Sequence, residues 1–145
     1  MKVLVLQGPN LNLLGAREPE RYGFATLAEV QGALDVLALE LGVTLRHVQS
    51  NHEGALVDAV QAAAADGFAG AVCNAGGLTH TSVCLRDAFL GAPLPFVEVH
   101  VSNVAAREPF RQVSLLSDVA LGVVFGFGVV GYELALRGLA RRLRG

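Results

Sequence analysis

The apolar residues of this chain follow two rhythms. Short apolar runs at residues 3–6, 45–48, 71–73, 96–99 and 121–125 have the length of buried strands. Between them the spacing turns helical: from Leu27 onward, Val30, Leu34, Leu37 and Leu41 share one face, and Thr26 with Glu29 has the spacing of a capping box. Ser50 and Glu53 repeat that signature ahead of a second helix over 55–65. A third helix is predicted over 81–89 and a last one over 132–143, with Arg137, Arg141, Arg142 and Arg144 near the end that the helix dipole leaves negative.

Short strands alternating with helices imply parallel pairing, right-handed crossovers and a sheet covered on both faces. The predicted fold is α/β, a flavodoxin-like, doubly wound five-stranded parallel sheet in three α/β/α layers. A chain of 145 residues, 52% hydrophobic and 17% charged, suffices for one domain over 1–145 with a full core. The formal net charge of -2 argues against a nucleic-acid surface, and no apolar run approaches a membrane span. The segment 1–6 is too short for a signal peptide and suits a first strand, so a soluble, cytoplasmic protein is expected. Cys73 and Cys84 lie in apolar surroundings and read as buried free thiols instead of a disulfide.

Ligands of doubly wound sheets bind beyond the carboxyl ends of the strands, and the polar residues gather there. Gly8-Pro9-Asn10 follows the first strand, Ser50-Asn51-His52-Glu53 the second, Asn74-Ala75-Gly76-Gly77-Leu78-Thr79-His80-Thr81-Ser82 the third and His100-Val101-Ser102-Asn103 the fourth. Three of the four histidines are thereby expected on one edge. The glycine-rich loop after strand three suits a polar, anionic small molecule, the plainer reading being a glycine turn with Thr/Ser capping. Residues 15–24 have the makings of a lid, in which Arg17 and Tyr22 stand out because an arginine can make a phenol a usable base. Arg107 and Arg111 fall close to His100 and Ser102, either as a salt-bridged face or as a grip on an oxygen-rich substrate. Gly126-Phe127-Gly128-Val129-Val130-Gly131 matches the dinucleotide fingerprint, but the sequence ends before the acidic residue that should follow, so a tight turn with close helix packing is expected instead. Tyr132, at the head of the last helix, is expected to be structural and exchangeable for Phe.

Gly8-Pro9-Asn10-Leu11-Asn12-Leu13-Leu14-Gly15, Arg17-Glu18-Pro19 with Tyr22-Gly23, Ser50 to Gly54, Asn74 to Ser82 with Leu85-Arg86-Asp87-Ala88, and Glu98-Val99-His100 with Ser102-Asn103 together resemble type II 3-dehydroquinate dehydratase. The resemblance runs over nearly the whole chain, with Ala105, Val113, Pro109 and Cys84 as mild departures. It implies reversible dehydration of 3-dehydroquinate to 3-dehydroshikimate through an enolate, a step of the shikimate pathway, with no cofactor and no metal. It further implies that Tyr22 removes the proton alpha to the carbonyl, Arg17 sustains its phenolate, Asn10 with a bound water steadies the enolate, and His100 protonates the departing hydroxyl. The substrate carboxylate would meet the backbone N–H groups of Val101 and Ser102 near Asn74, with His80, Arg111 and a neighbouring subunit's Asp87 on the ring hydroxyls. A homo-oligomer is implied, a dodecamer of four trimers, although Asp87 could equally pair with Arg86 or Arg111 on its own chain.

The residue types support this independently. An alpha proton is a weak acid, so its removal needs a strong base, an oxyanion stabiliser and an acid for the leaving group, and this edge offers all three. Glu98 points the same way along its strand as His100 and could orient or charge it. Lys2, the only lysine, is expected across the sheet from the site, out of reach of an imine. Two rival readings are a flavodoxin-like nucleotide or phosphate binder using the glycine loops, and a metal hydrolase using His52, His80, His100 and Glu98.

Overall fold

The structure, a computed structural model, describes residues 1–145. Five strands, β1 (Lys2–Gln7), β2 (Thr44–Gln49), β3 (Gly70–Asn74), β4 (Phe96–His100) and β5 (Gly122–Phe125), form one all-parallel sheet in the order β2-β1-β3-β4-β5. The helices are α1 (Pro19–Tyr22), α2 (Leu27–Leu41), α3 (Glu53–Ala65), α4 (Val83–Gly91) and α5 (Val130–Arg144). This is the flavodoxin-like, doubly wound order, in which the chain winds outward from β1 in both directions. The strands thus fall where the apolar runs put them, the first four extended by a residue or two and β5 starting one residue later than expected.

Alternation along β1 divides the core in two. Val3 and Val5 face α2 and α5 with Leu34, Leu37, Leu136 and Leu139, whereas Leu4 and Leu6 face α3 and α4 with Leu56, Val60, Leu85 and Phe89. All four of these β1 residues are fully buried, as the central strand of a sheet covered on both faces requires.

The helix starts differ in how they are capped. Thr26 Oγ1 accepts from the Glu29 N–H and the Glu29 carboxylate accepts from the Thr26 N–H, so α2 begins with the expected capping box. The second box does not form. Ser50 Oγ accepts from the N–H of His52 instead, which makes a turn and leaves His52 as the N-cap of α3 without a side-chain cap. The third helix starts two residues later than expected because Ser82 caps it, accepting from the Leu85 N–H at 2.9 Å. In the fingerprint-like stretch, Gly126 and Gly128 take positive φ and Gly131 rests on Val124 and Val99, a tight turn and a close helix contact.

At the carboxyl edge the loops after β1 and β3 touch backbone to backbone. The Gly8 N–H donates to the Asn74 carbonyl at 2.8 Å, and a Cβ on Gly8 would lie 2.2 Å from the Ala75 oxygen. Gly8→Ala is therefore expected to destabilise the protein by about 1–3 kcal/mol through forced separation of two main chains. Denaturant unfolding measures this, and a variant as stable as its parent would mean that the two loops part freely.

Candidate active site

Three loops and one short helix close around a cleft of about 130 Å³ at that edge. The loop after β1 contributes Asn10 in the left-handed region, φ 70°. Its N–H donates to Asn51 Oδ1 at 2.9 Å, and Gln49 Nε2 donates both to that oxygen and to the Gly8 carbonyl. An asparagine tolerates this backbone better than most residues, and the Gln49–Asn51 pair holds it there.

After β3, Asn74 is buried and its amide is spoken for on both sides. Asn74 Oδ1 accepts from the Gly76 N–H, and Nδ2 donates to the Tyr132 hydroxyl at 2.7 Å. That hydroxyl donates in turn to Gln7 Oε1 at 2.6 Å. Gln7, Tyr132 and Asn74 thus form a buried chain from β1 through α5 to the site. Burial pushes the Tyr132 phenol up, against the pull of Asn74 and Gln7, so this tyrosine stays neutral and serves as a link.

After β4, the strand places Glu98 and His100 on one face, where His100 Nε2 meets Glu98 Oε1 at 2.5 Å. Glu98 is completely buried. Burial raises its carboxyl, but hydrogen bonds from His100, Ser117 and Ser114 outweigh that and hold it below the ordinary carboxylate range. The His80 ring stacks near that of His100, with centroids 6.3 Å apart.

The fourth wall is α1, which carries Tyr22. Arg107 Nη1 donates to the Tyr22 hydroxyl at 2.7 Å and to Ser102 Oγ at 3.3 Å, while the Arg17 guanidinium lies over the Tyr22 ring, 5.2 Å from its centroid. The direct donor to the phenol is therefore Arg107, with Arg17 at its face. Arg111 completes the cationic lining and is tethered to Glu108 at 2.8 Å. Such a ring of guanidinium groups and backbone N–H donors suits a ligand carrying a carboxylate and hydroxyls.

The cleft brings together Asn10, Arg17, Tyr22, Asn74, His80, His100, Val101, Ser102 and Arg111. It does not include Asp87, which lies on α4 and lines a separate shallow groove with Gln61 and Cys84. Asp87 also lacks the partners open to it on its own chain: Arg86 pairs with Asp118 and Arg111 with Glu108. Only two of the three expected histidines converge, because His52 is the N-cap of α3 outside the cleft; the fourth, His47 of β2, pairs with Asp35 of α2. No three His, Cys, Asp or Glu side chains come together as a cage for a metal, which removes the geometric basis of the hydrolase reading. Both cysteines are free thiols, but only Cys73 is buried as expected; Cys84 sits on the solvent side of α4 and is exposed. Cys73 is unsuited to nucleophilic work, since burial, with the charge of Glu98 added, pushes its thiol up.

Residues 1–140 match the family described as dehydroquinase class II. The chain belongs to that family. It is 59% identical over 143 residues, 98% of this chain and 91% of the other, to a catabolic 3-dehydroquinase of Pyricularia oryzae. It is 59% identical over 135 residues, 93% of this chain and 94% of the other, to a 3-dehydroquinate dehydratase of Bordetella avium. The crystal structure of a type II dehydroquinase from Butyrivibrio crossotus superposes with a TM-score of 0.94 at 39% identity, covering 96% of this chain and 97% of that one.

Within this dehydroquinase cleft, two parts escaped the sequence reading. The reach of Arg107 to Tyr22 spans 85 positions and has no local signature. Tyr132 is structural as expected, yet its hydroxyl is not idle. Tyr132→Phe leaves two buried amides short of a partner, so the expected loss is about 1–3 kcal/mol of stability instead of none. Chemical denaturation checks it, and an unchanged midpoint would show that Asn74 and Gln7 find partners without the phenol.

Proposed function

We propose that the chain is a 3-dehydroquinate dehydratase that eliminates water from 3-dehydroquinate to give 3-dehydroshikimate, a step of the shikimate pathway, and that its cleft residues divide the work as follows. The observation that carries this division is the pairing of two proton-handling groups in opposite surroundings: Tyr22 held by Arg107 among cations, and His100 backed by the Glu98 carboxylate.

Tyr22, its hydroxyl oxygen fixed by the donating Arg107 guanidinium, takes the proton alpha to the substrate carbonyl. The electrons move onto the carbonyl oxygen, and the resulting enolate is steadied by Asn10, with a bound water between them. As the enolate collapses, the carbon–oxygen bond breaks, and the departing hydroxyl takes a proton from His100 and leaves as water. The substrate carboxylate sits on the N–H groups of Val101 and Ser102 beside Asn74, and His80 and Arg111 hold ring hydroxyls. Residues 15–24 act as the lid: Gly15 and Gly23, at φ 93° and 78°, flank the segment that carries Arg17 and Tyr22. Lys2 donates to the Asp66 carbonyl at the opposite end of the sheet, so an imine route lacks its amine. Neither a metal nor a cofactor enters this scheme, and the whole chain, 1–145, acts as one domain in the cytoplasm; no helix is long and apolar enough to cross a membrane.

Appearance of the conjugated enone in the ultraviolet on adding 3-dehydroquinate tests the activity directly. Tyr22→Phe should lower turnover by about 10²–10⁴-fold with ligand binding retained, as expected for loss of a general base. Arg107→Gln should cost about tenfold or more, the worth of a charged hydrogen bond. A Tyr22→Phe enzyme that keeps its turnover would remove the phenol from the mechanism. Flavin or nucleotide titration of the same sample separates the nucleotide-binding reading.

Asp87 belongs, on this proposal, to a neighbouring subunit's site in a homo-oligomer, a dodecamer of four trimers. Its lack of a partner on its own chain supports that assignment, as do the exposed apolar residues Val83 and Leu90 on the same helix and Val123, Phe125 and Phe127 at the β5 edge. Light scattering reads the assembly. Inactive Asp87→Asn and Tyr22→Phe subunits, unfolded together and refolded as mixed assemblies, should regain activity because some sites then draw both intact residues. No regain in assemblies of the expected mass would return Asp87 to its own chain's surface.

A further inference from the structure

Glu98 is a fully buried carboxylate with no lysine or arginine in contact, and its hydrogen bonds account for both oxygens. Oε1 receives His100 Nε2 and the Ser114 hydroxyl at 2.9 Å, and Oε2 receives the Ser117 hydroxyl at 2.6 Å. The direction of the Ser114 bond follows from its other partners. Ser114 Oγ already accepts from the N–H groups of Leu116 and Ser117, which uses its lone pairs and leaves its proton for Glu98. Both serines come from the segment between Arg111 and β5, behind the histidine as seen from the cleft.

A carboxylate so far from water has two ways to avoid standing charged and unsolvated: it can take the histidine's proton, or it can be solvated by protein donors. If the proton crosses to Glu98, His100 becomes a neutral ring and loses its strength as an acid. We propose that Ser114 and Ser117 are positioning residues for the acid half of the reaction, their hydroxyls solvating the Glu98 carboxylate so that the proton stays on His100, Nε2–H fixed toward Glu98 and Nδ1–H turned to the leaving hydroxyl. This rests on the reading of His100 as the proton donor. No group facing the pair from the other elements supplies that solvation in place of the serines. Cys73 on β3 is held neutral by burial, Val123 and Phe125 on β5 are apolar, His80 stacks on the ring, and Arg111 is occupied by Glu108. The lowered carboxyl of Glu98 agrees, burial opposing it and the three hydrogen bonds prevailing.

Ser117 is the residue to change, because its hydroxyl makes no other bond whereas Ser114 also holds two backbone N–H groups. In the full assembly, Ser117→Ala should lower kcat about tenfold with KM little changed, the worth of one hydrogen bond to a charged group. Isotopes then separate the two half-reactions. With 3-dehydroquinate deuterated at the alpha carbon, the primary effect on kcat should shrink, and the solvent isotope effect should grow, because departure of the hydroxyl has become the slow step. Ser117→Thr, which keeps a hydroxyl, should restore both. Nitrogen-15 NMR of histidine-labelled protein, with His100→Asn to assign the signal, should show Nε2 of His100 less protonated in Ser117→Ala than in the parent. An alanine variant with unchanged kcat and an unchanged His100 signal would overturn the proposal. So would uniform slowing with both isotope effects constant, or a threonine variant as slow as alanine. Should the parent protein fail to dehydrate 3-dehydroquinate, the functional reading falls while the NMR comparison still decides the clamp.

Discussion

Everything at the catalytic edge depends on a contact with no room in it. β1 and β3 are parallel neighbours, so their loops leave the sheet side by side, and the Gly8 N–H reaches the Asn74 carbonyl across a gap too small for a methyl group. That contact fixes where Asn10 and Asn74 stand relative to each other, since each lies at or next to the joined backbone. It also explains why polar side chains crowd here. Two loops packed this tightly leave peptide groups that sheet bonds cannot satisfy, and Asn51, Gln49 and Asn74 satisfy them instead.

Around that contact the electrostatics divide in two. On the lid side the cleft is lined by Arg17, Arg107 and Arg111, all from loops or short turns where long side chains can reach inward. On the sheet side the only charge is the Glu98 carboxylate, delivered by a strand and sealed beneath the histidine. Oppositely charged surroundings on two sides of one small cleft are what a reaction with separate base and acid needs. Strand and loop therefore carry different groups: the histidine with its carboxylate sits on the sheet, and Tyr22 sits on the short helix α1 among the arginines.

The sheet was legible because its signal is local. Residues 3–6, 71–73 and 96–99 are buried on both faces and, Glu98 apart, apolar, which only a central parallel strand tolerates, and Thr26 with Glu29 announces a helix within four residues. Topology gathered His80 and His100 at one edge with the Tyr22 loop once the strands were placed, but the same argument put His52 there, and that histidine stands outside the cleft as the N-cap of α3. What stayed hidden depends on distant partners. Ser50 and Glu53 have the spacing of a cap, yet the serine hydroxyl found the nearer His52 N–H and the box was lost. Arg107 and Tyr132 join the site by bonds spanning 85 and 58 positions, and no periodicity encodes those. Asp87 shows the same limit from the other side, since it lies on α4 outside the cleft and no bond on its own chain marks it.

The distribution of unsatisfied and strained groups points back to the same edge. Four buried side-chain atoms lack a hydrogen-bond partner, and three of them, Gln7 Nε2, Thr79 Oγ1 and Arg107 Nε, belong to residues in or directly behind the cleft. The two non-glycine residues with positive φ, Asn10 and Glu18, belong to its loops. Each such feature costs on the order of 1–3 kcal/mol, and a fold selected for stability alone would place none of them together. Elsewhere the chain mostly keeps the ordinary rules, with two well-filled cores and side-chain caps on α2 and α4, the exceptions being His47 Nδ1 and the uncapped starts of α3 and α5. The cost is concentrated where the chemistry is, because donors and acceptors already satisfied by the protein have nothing left to offer a substrate.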